Sequence, residues 1–330
     1  MMTLPEFLPA LIRKTGHFVL ATHVSPDGDA LGSLLGFADI LESMGKRVFR
    51  YVEQEATPFY RFLPGSDRLH TGMDDLDNFV RLAGDDVLGV SLDCGDRQRL
   101  GQNGPNLLRI RPFVVIDHHK GNNGFGDFSW IDSQRSSTGE MIFDLATALG
   151  QTVSKEAAIC LYAAIVTDTG SFKYELTRPH TFDVARQLVE LGVRPEFVAG
   201  NLYDNFTFGR LQLMQKVLST LEVVDDGRIA IIRVTRKMLD QTGCTLVDTE
   251  NLINLPRSVA VVQVAVFLKE TGEDVVSVSL RAKDSCDVAE VAREFGGGGH
   301  RKAAGFRQSL TTMDEVRNRL LPVLKRKLSR

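Results

Sequence analysis

The sequence predicts an α/β protein in which an N-terminal, doubly wound and mostly parallel sheet precedes a helical connector and a smaller α/β domain with a mixed sheet. Three observations support this prediction. Short apolar runs alternate with helical patterns in the first half of the chain, as in βαβ units. β-Branched runs replace this alternation after about residue 220. The length of 330 residues suits two domains better than one. We therefore expect a first domain over residues 1–190, the connector over 191–220 and the second domain over 221–330.

The first half of the chain contains the elements of the predicted parallel sheet. Residues 18–21 form an apolar run typical of a short buried strand. Leucine and alanine residues then recur at helical spacing between Leu31 and Leu41. The same criteria predict strands at residues 18–21, 48–52, 87–92 and 113–116, and helices at 4–14, 29–44, 75–82, 138–149 and 154–167.

The second half begins with a helical pattern over residues 180–221, which is broken near Gly192, Arg194 and Pro195. Beyond it, β-branched runs predict a second sheet, and a turn at residues 270–274 joins two of its strands. The predicted strands are residues 229–234, 259–268 and 275–280, and the predicted helices are 287–295 and 312–328.

Composition argues against several classes of protein. A net charge of -3 is unlike that of a protein that coats nucleic acid, although a local basic groove is compatible with it. Residues 4–11 are interrupted by Pro5, Glu6 and Pro9, and no run of about 18 apolar residues occurs, so we expect no signal peptide and no membrane partner. The four cysteines form no CxxC pair and are typical of reduced thiols in a cytoplasmic protein.

Polar side chains stand where the predicted strands end, which is where parallel sheets bind ligands. Some have a simple structural explanation, since Asp29 could cap the helix that it begins. A carboxylate at a helix C-terminus opposes the helix macrodipole, however, so Asp168 favours a nearby cation. The candidate set consists of His23, Asp27, Asp29, Asp93, Asp117, His118, His119 and Asp168.

These five carboxylates and three imidazoles would repel one another or change protonation if they converged without metal. They are too many for one ion, whereas two ions bridged by a carboxylate and a hydroxide would use them all. That arrangement serves in-line attack on phosphorus. Mixed His and Asp ligands favour Mn²⁺ or a similar ion, with Mg²⁺ as the alternative.

Four segments resemble, in order and context, the motifs of the DHH phosphoesterase family: HVSPDGDA, SLDCGD, VVIDHHKGN and AAIVTDTGSF. A fifth segment, SLRAKDSCDVAEVAREFGGGGHRKAAGF, is similar to the signature of the DHH-associated C-terminal domain. The resemblance runs from His23 to Phe306. Within the family, the chain resembles the small two-domain oligoribonucleases that also act on 3′-phosphoadenosine 5′-phosphate (pAp).

The resemblance implies a role for each residue of the candidate set. His23 and Asp27 would hold one ion, Asp29, His118 and Asp168 the other, and Asp93 would bridge both. Among the catalytic residues, His119 would lie beside the scissile phosphate, and Asp117 would orient a ligand imidazole.

The expected substrate contacts lie mainly in the second domain. Glycines allow a nucleotide to approach the backbone closely, and basic residues flank them, although a flexible linker is the simpler alternative. Arg99 and Lys120 lie close to the metal motifs and could equally be ordinary surface charges. Many relatives carry Ser where this chain has Ala282, which bears on the phosphate contacts near Arg281. The substrate-binding candidates are Arg281, Gly297, Gly298, Gly299, His300, Arg99 and Lys120.

The expected function is Mn²⁺-dependent hydrolysis of short single-stranded RNA to mononucleotides and of pAp to AMP by a metal-activated hydroxide. The alternative substrates are cyclic or linear dinucleotides. We expect neither a membrane-bound cyclic-dinucleotide enzyme, which carries extra N-terminal segments, nor an exonuclease, which is longer and carries additional nucleic-acid-binding domains, and the pyrophosphatases have a different second domain without the GGGGH run. A nucleotide-binding regulator is the non-enzymatic alternative, and it is disfavoured because every ligand position is retained. A homodimer is one option for the assembly.

Overall fold

The computed structural model describes residues 4–283 and 286–328. The chain divides into two compact units, Met1–Asn205 and Phe206–Arg330. No helix within the described ranges is both long and apolar enough to cross a membrane. All four cysteines lie in these ranges and are free thiols.

The first unit consists of a five-stranded sheet with helices on both faces, as predicted. Its strands are β1 (His17–Ala21), β2 (Arg47–Arg50), β3 (Val87–Leu92), β4 (Phe113–Asp117) and β5 (Phe128–Ile131). Its helices are α1 (Phe7–Lys14), α2 (Gly28–Ser43), α3 (Met73–Ala83), α4 (Gly104–Leu107), α5 (Thr138–Leu149), α6 (Lys155–Asp168), α7 (Pro179–Glu190) and α8 (Pro195–Tyr203). Strand β5 was not predicted, because it has four residues and its first two, Phe128 and Ser129, are exposed.

All five strands are parallel, in the order β2-β1-β3-β4-β5. Side chains alternate between the faces. Leu20 packs with α2, α5 and α6, whereas Val19 lies in a second cluster with α3 and α4. The chain leaves β1 for β2 on one side and then returns to β3 on the other. Such a reversal opens a crevice at the carboxyl ends of β1 and β3, where ligands bind in open α/β sheets.

The second unit contains a mixed six-stranded sheet in the order β10-β11-β9-β8-β7-β6, in which only the β7–β8 pair is parallel. Its strands are β6 (Glu222–Val224), β7 (Ile229–Val234), β8 (Val264–Gly272), β9 (Val275–Ala282), β10 (Gly298–His300) and β11 (Ala303–Ser309). Its helices are α9 (Phe208–Leu218), α10 (Arg236–Thr242), α11 (Asn254–Ser258), α12 (Val288–Glu294) and α13 (Met313–Leu328).

The second half differs from the sequence-based expectation in its short elements, in one strand boundary and in the connector. The elements that were not predicted are β6, β10, β11, α10 and α11. Strand β8 begins at Val264 rather than at residue 259, because the Val262 N–H donates to the Val259 carbonyl and turns the backbone first. The segment predicted as a connector, residues 191–220, is shared between the units: α8 packs against α6, whereas α9 packs against α10 and β7.

Helices α2 and α6 approach each other closely through glycine. A Cβ atom added at Gly32 would lie 2.4 Å from the Cys160 carbonyl oxygen, and one at Gly36 would lie 2.7 Å from Leu161 Cδ2. We expect Gly32→Ala to lower the free energy of unfolding of the first unit by about 1–3 kcal/mol, because the extra methyl group overpacks the contact. Urea unfolding followed by fluorescence of the single tryptophan, buried Trp130 in β5, reports on this unit.

The matched control is Gly200→Ala in α8, where an added Cβ has no neighbour within 4 Å. Alanine should there stabilise the unit by about 0.5–1 kcal/mol through helix propensity alone. A Gly32→Ala protein as stable as the Gly200→Ala protein would contradict the close contact.

Candidate metal centre

The predicted ligands converge at the carboxyl edge of the first sheet. His23, Asp27 and Asp29 follow β1, Asp93 follows β3, and Asp168 is the last residue of α6. Asp93 has a left-handed backbone, with φ of 53°, which aspartate tolerates better than most residues. Asp27 rather than Asp29 caps α2, because its side chain accepts the Ala30 N–H at 3.1 Å, so the alternative explanation for Asp29 is wrong.

The ligand atoms form three groups, each of which lies within a 4.8 Å span. In the first group, His23 Nε2 lies 3.9 Å from Asp27 Oδ1 and 3.7 Å from Asp93 Oδ2. In the second, His118 Nε2 lies 3.6 Å from Asp29 Oδ2 and 3.4 Å from Asp168 Oδ2. The third group consists of Asp93, His118 and His119.

Asp93 stands between the first two groups. Its Oδ2 faces His23, whereas its Oδ1 lies 3.6 Å from His118 Nε2. One carboxylate therefore presents a different oxygen to each group.

Backbone carbonyls orient the two buried imidazoles. His23 Nδ1 lies 2.8 Å from the Val24 oxygen, and His118 Nδ1 lies 3.2 Å from the Arg135 oxygen. Since a carbonyl oxygen only accepts hydrogen bonds, Nδ1 carries the proton in each ring. In the neutral form that binds a metal, each ring directs the lone pair of Nε2 towards the carboxylates, which is the arrangement of a metal-binding histidine.

Charge crowding indicates that the centre suits a cation. Burial and then repulsion from Asp29 raise the pKa of Asp93 well above its ordinary value. Burial, followed by repulsion from Asp168, raises the pKa of Asp29 to about 7. Burial alone would lower the pKa of His118, but Asp168 and Asp29 outweigh it and raise that pKa to about 9. Divalent ions would neutralise this charge, so the donor set fits them.

The sequence predicted that α5 starts at residue 138, but not that this N-terminus holds Asp29 in place. The N–H groups of Thr138 and Gly139 donate to the two oxygens of Asp29 at 2.7 and 2.9 Å, and Ser33 Oγ donates at 2.9 Å. The available signal was the sequence Ser-Thr-Gly-Glu at residues 137–140, which is typical of a helix start.

Asp117 contacts His119 rather than His118. Its Oδ1 lies 2.8 Å from His119 Nδ1, and its Oδ2 accepts from Asn122 at 2.7 Å. Burial opposes ionisation of Asp117, but the hydrogen bond from His119 holds its pKa below the ordinary value. His119 is thereby oriented at the edge of the centre, 3.5 Å from Asp93 Oδ1.

Of the two basic candidates in the first unit, Arg99 lies close to the first ligand group. Burial lowers the pKa of His23 to about 4, and the charge of Arg99 acts in the same direction. The Arg99 carbonyl also accepts the Val24 N–H at 2.7 Å. Lys120 is exposed next to His119.

The remaining substrate candidates come together in the second unit. Strand β10 is an edge strand of this sheet. Ala303 of β11 is paired with His300 of β10 on one side and with Arg281 of β9 on the other. The GGGGH run is therefore ordered into a turn and a strand instead of a linker. Gly299 has φ of 136°, and an added Cβ at Gly297 would lie 2.2 Å from the Gly305 oxygen, whereas Gly298 faces open space. The side chain of His300 lies outside the described part of the structure.

Ala282 lies in the apolar core of the second unit and is 1% exposed. Side chains alternate along β9, so Arg281 points to the opposite face of the sheet. The departure from Ser at this position therefore affects core packing and not the side-chain surroundings of Arg281.

Comparisons with known proteins agree with this geometry. Residues 17–165 match the DHH family N-terminal domain, and residues 226–329 match the DHHA1 domain. The bifunctional oligoribonuclease and PAP phosphatase NrnA of Thermus thermophilus is 31% identical to this chain, over 96% of this chain and 91% of that protein.

Two further similarities extend over nearly the whole chain. A probable bifunctional oligoribonuclease and PAP phosphatase NrnA from Streptococcus mutans is 29% identical, over 98% of this chain and 100% of that protein. The crystal structure of an exopolyphosphatase-related protein from Bacteroides fragilis has a TM-score of 0.89 at 28% identity, over 97% of both chains. The resemblance seen in the motifs is thus confirmed: the chain belongs to the DHH family, whose members hydrolyse phosphoester bonds.

Proposed function

We propose that this chain hydrolyses short single-stranded RNA to mononucleotides and dephosphorylates pAp to AMP with two divalent ions, Mn²⁺ being the first choice and Mg²⁺ the second. The observation that carries the proposal is the position of Asp93, with one oxygen towards each ligand group. His23, Asp27 and Asp93 would hold one ion, and Asp29, His118, Asp168 and Asp93 the other. Bound ions would supply a nucleophile at neutral pH and positive charge for the phosphoryl oxygens.

The residues around the centre would orient and protonate the substrate. His119 donates from Nδ1 to Asp117, which orients the ring so that Nε2, when protonated, would give its proton to the leaving oxygen. Arg99, close to the first group, would contact a phosphate, and the neighbouring Lys120 is a weaker candidate for the same role.

The second unit would bind the nucleotide portion of the substrate. On one face of the sheet, Arg281 stands beside the small residues Ser279, Ala303 and Gly305, which leaves room for a ligand. Gly298 and Gly299 lie on the open edge strand, where backbone N–H groups can face a phosphate. The names of the NrnA relatives support oligoribonucleotides and pAp as substrates. A cytoplasmic location is part of this proposal, since RNA fragments and nucleotides are found there.

The first prediction tests the metal site. We expect Asp93→Asn to reduce kcat by roughly 10³-fold, because the amide loses the charge that both ions share. We also expect chelation to abolish wild-type activity and Mn²⁺ to restore it. The matched control is Asp85→Asn, the same change at an exposed position before β3, which should keep wild-type kcat. Undiminished turnover by the chelated protein would contradict a metal-dependent site.

The second prediction tests the nucleotide site. We expect Arg281→Gln to raise KM for a diribonucleotide by about 10- to 100-fold, since a hydrogen-bonded charge on phosphate contributes about 1.5–3 kcal/mol. Activity on bis(p-nitrophenyl) phosphate, which lacks a nucleotide, should change little. Arg307 lies on the same face, where it is paired with Ser277, so Arg307→Gln is the control. Equal KM values for the two variants would remove Arg281 from the proposal.

The third prediction concerns substrate length. The basic candidates cluster near two motifs and would contact a few phosphates at most, and a net charge of -3 provides no broad field for long polyanions. We expect kcat/KM to be highest for RNA dimers to about pentamers and to fall for a 24-mer, and duplexes to resist cleavage. A time course with 5′-labelled RNA, beside pAp, cyclic di-AMP and its linear dinucleotide, measures this order. Preference for either dinucleotide would favour the alternative substrate class. Activity that rises with RNA length would contradict both substrate classes.

A further inference from the structure

We infer that Thr138 is a positioning residue whose hydroxyl fixes the Asp93 carboxylate, so that each oxygen of Asp93 faces a different ligand group. This inference rests on the two-ion site proposed above. It extends that site to a residue that binds no ion itself.

The contact that carries the inference is buried. Thr138 is 0% exposed, and its Oγ1 donates to Asp93 Oδ1 at 3.1 Å. The same Oδ1 faces His118, while Oδ2 faces His23. The last torsion of an aspartate side chain is broad, so a carboxylate without a fixed partner samples many orientations. The hydroxyl therefore selects the orientation in which the carboxylate spans both groups.

The position of Thr138 in its helix explains why its hydroxyl is available. Threonine hydroxyls within helices commonly donate to the carbonyl four residues earlier, as Thr147 and Thr167 do here. Thr138 is the first residue of α5, so no preceding helical turn offers such a carbonyl. Its hydroxyl points to Asp93 instead.

Thr138 is itself held rigidly. Ser137 Oγ accepts the Glu140 N–H at 3.0 Å and caps the helix, and the neighbouring Gly139 packs closely against Ala164 of α6. The Thr138 N–H donates to Asp29 Oδ2 at 2.7 Å. One residue thus contacts a carboxylate of each group, through its backbone to Asp29 and through its hydroxyl to Asp93, and couples the geometries of the two sites.

The test compares Thr138→Val, which replaces the hydroxyl by a methyl group of similar size, with Thr138→Ser, which keeps the hydroxyl. Thr138→Ala is a second hydroxyl-free variant. Mn²⁺ is titrated into metal-free protein by calorimetry, and electron paramagnetic resonance detects exchange coupling between paired Mn²⁺ ions. Trp130 fluorescence checks that each variant is folded.

The control is Thr181→Val. Thr181 is also fully buried, and its hydroxyl donates to the carboxylate of Glu140 at 2.8 Å, but neither residue is a proposed ligand. The control therefore removes a buried hydroxyl–carboxylate hydrogen bond, together with the acceptor of the Arg178 N–H at 3.2 Å, without changing a proposed ligand.

We expect the Val and Ala variants to bind at least one Mn²⁺ ion about 10- to 100-fold more weakly, because they lose a hydrogen bond to a charged group. Their exchange-coupled signal should weaken, whereas Thr138→Ser and Thr181→Val should stay within about threefold of wild type. Wild-type affinity in Thr138→Val, or equal weakening in Thr138→Ser or Thr181→Val, would overturn the inference. A wild-type protein that binds fewer than two ions would overturn the two-ion site itself, which separates the two failures.

Discussion

Repulsion among clustered carboxylates is the constraint on which the first unit depends. Asp29, Asp93 and Asp168 lie around one imidazole, His118, at the edge of the sheet. Such a group is unfavourable unless fixed donors and a cation offset the charge. The surrounding structure supplies the donors: the first N–H groups of α5, the Ser33 hydroxyl and the Thr138 hydroxyl all point at carboxylate oxygens. The fold therefore holds the carboxylates in fixed orientations and leaves their remaining charge for ions.

Site residues could be predicted best where metal-binding side chains follow the strands of the parallel sheet. The strand ends could be predicted from short apolar runs, and parallel strands place their carboxyl ends together, so the convergence of His23, Asp93 and His118 followed from pattern alone. The start of α5 was predicted, but its contacts with the ligands were not. The N–H groups of Thr138 and Gly139 that bind Asp29 are present in every residue, and the contact of the Thr138 hydroxyl with Asp93 joins residues 45 positions apart, which no local pattern reveals.

The errors in the elements have related causes. Strand β5 is short and half exposed, and β10 is built from glycines, so neither shows the apolar pattern on which strand prediction depends. Both are edge strands, which are stabilised by pairing with one neighbour rather than by burial of their own side chains. The boundary between the two units, after Asn205, could not be predicted from the sequence either, because α8 and α9 have similar helical patterns yet pack in different units.

The glycine contact between α2 and α6 has a consequence for ion selection. Asp29 precedes Gly32 by about one helical turn, and Asp168 follows Ala164, which Gly32 touches, by about one turn. Two carboxylates assigned to the same ion are thus separated by a distance that backbone contact determines, with no long or flexible side chain between them. At the proposed site, the packing of the two helices would then set the ionic radius that fits, and a larger residue at Gly32 would change the preferred ion as well as the stability of the fold.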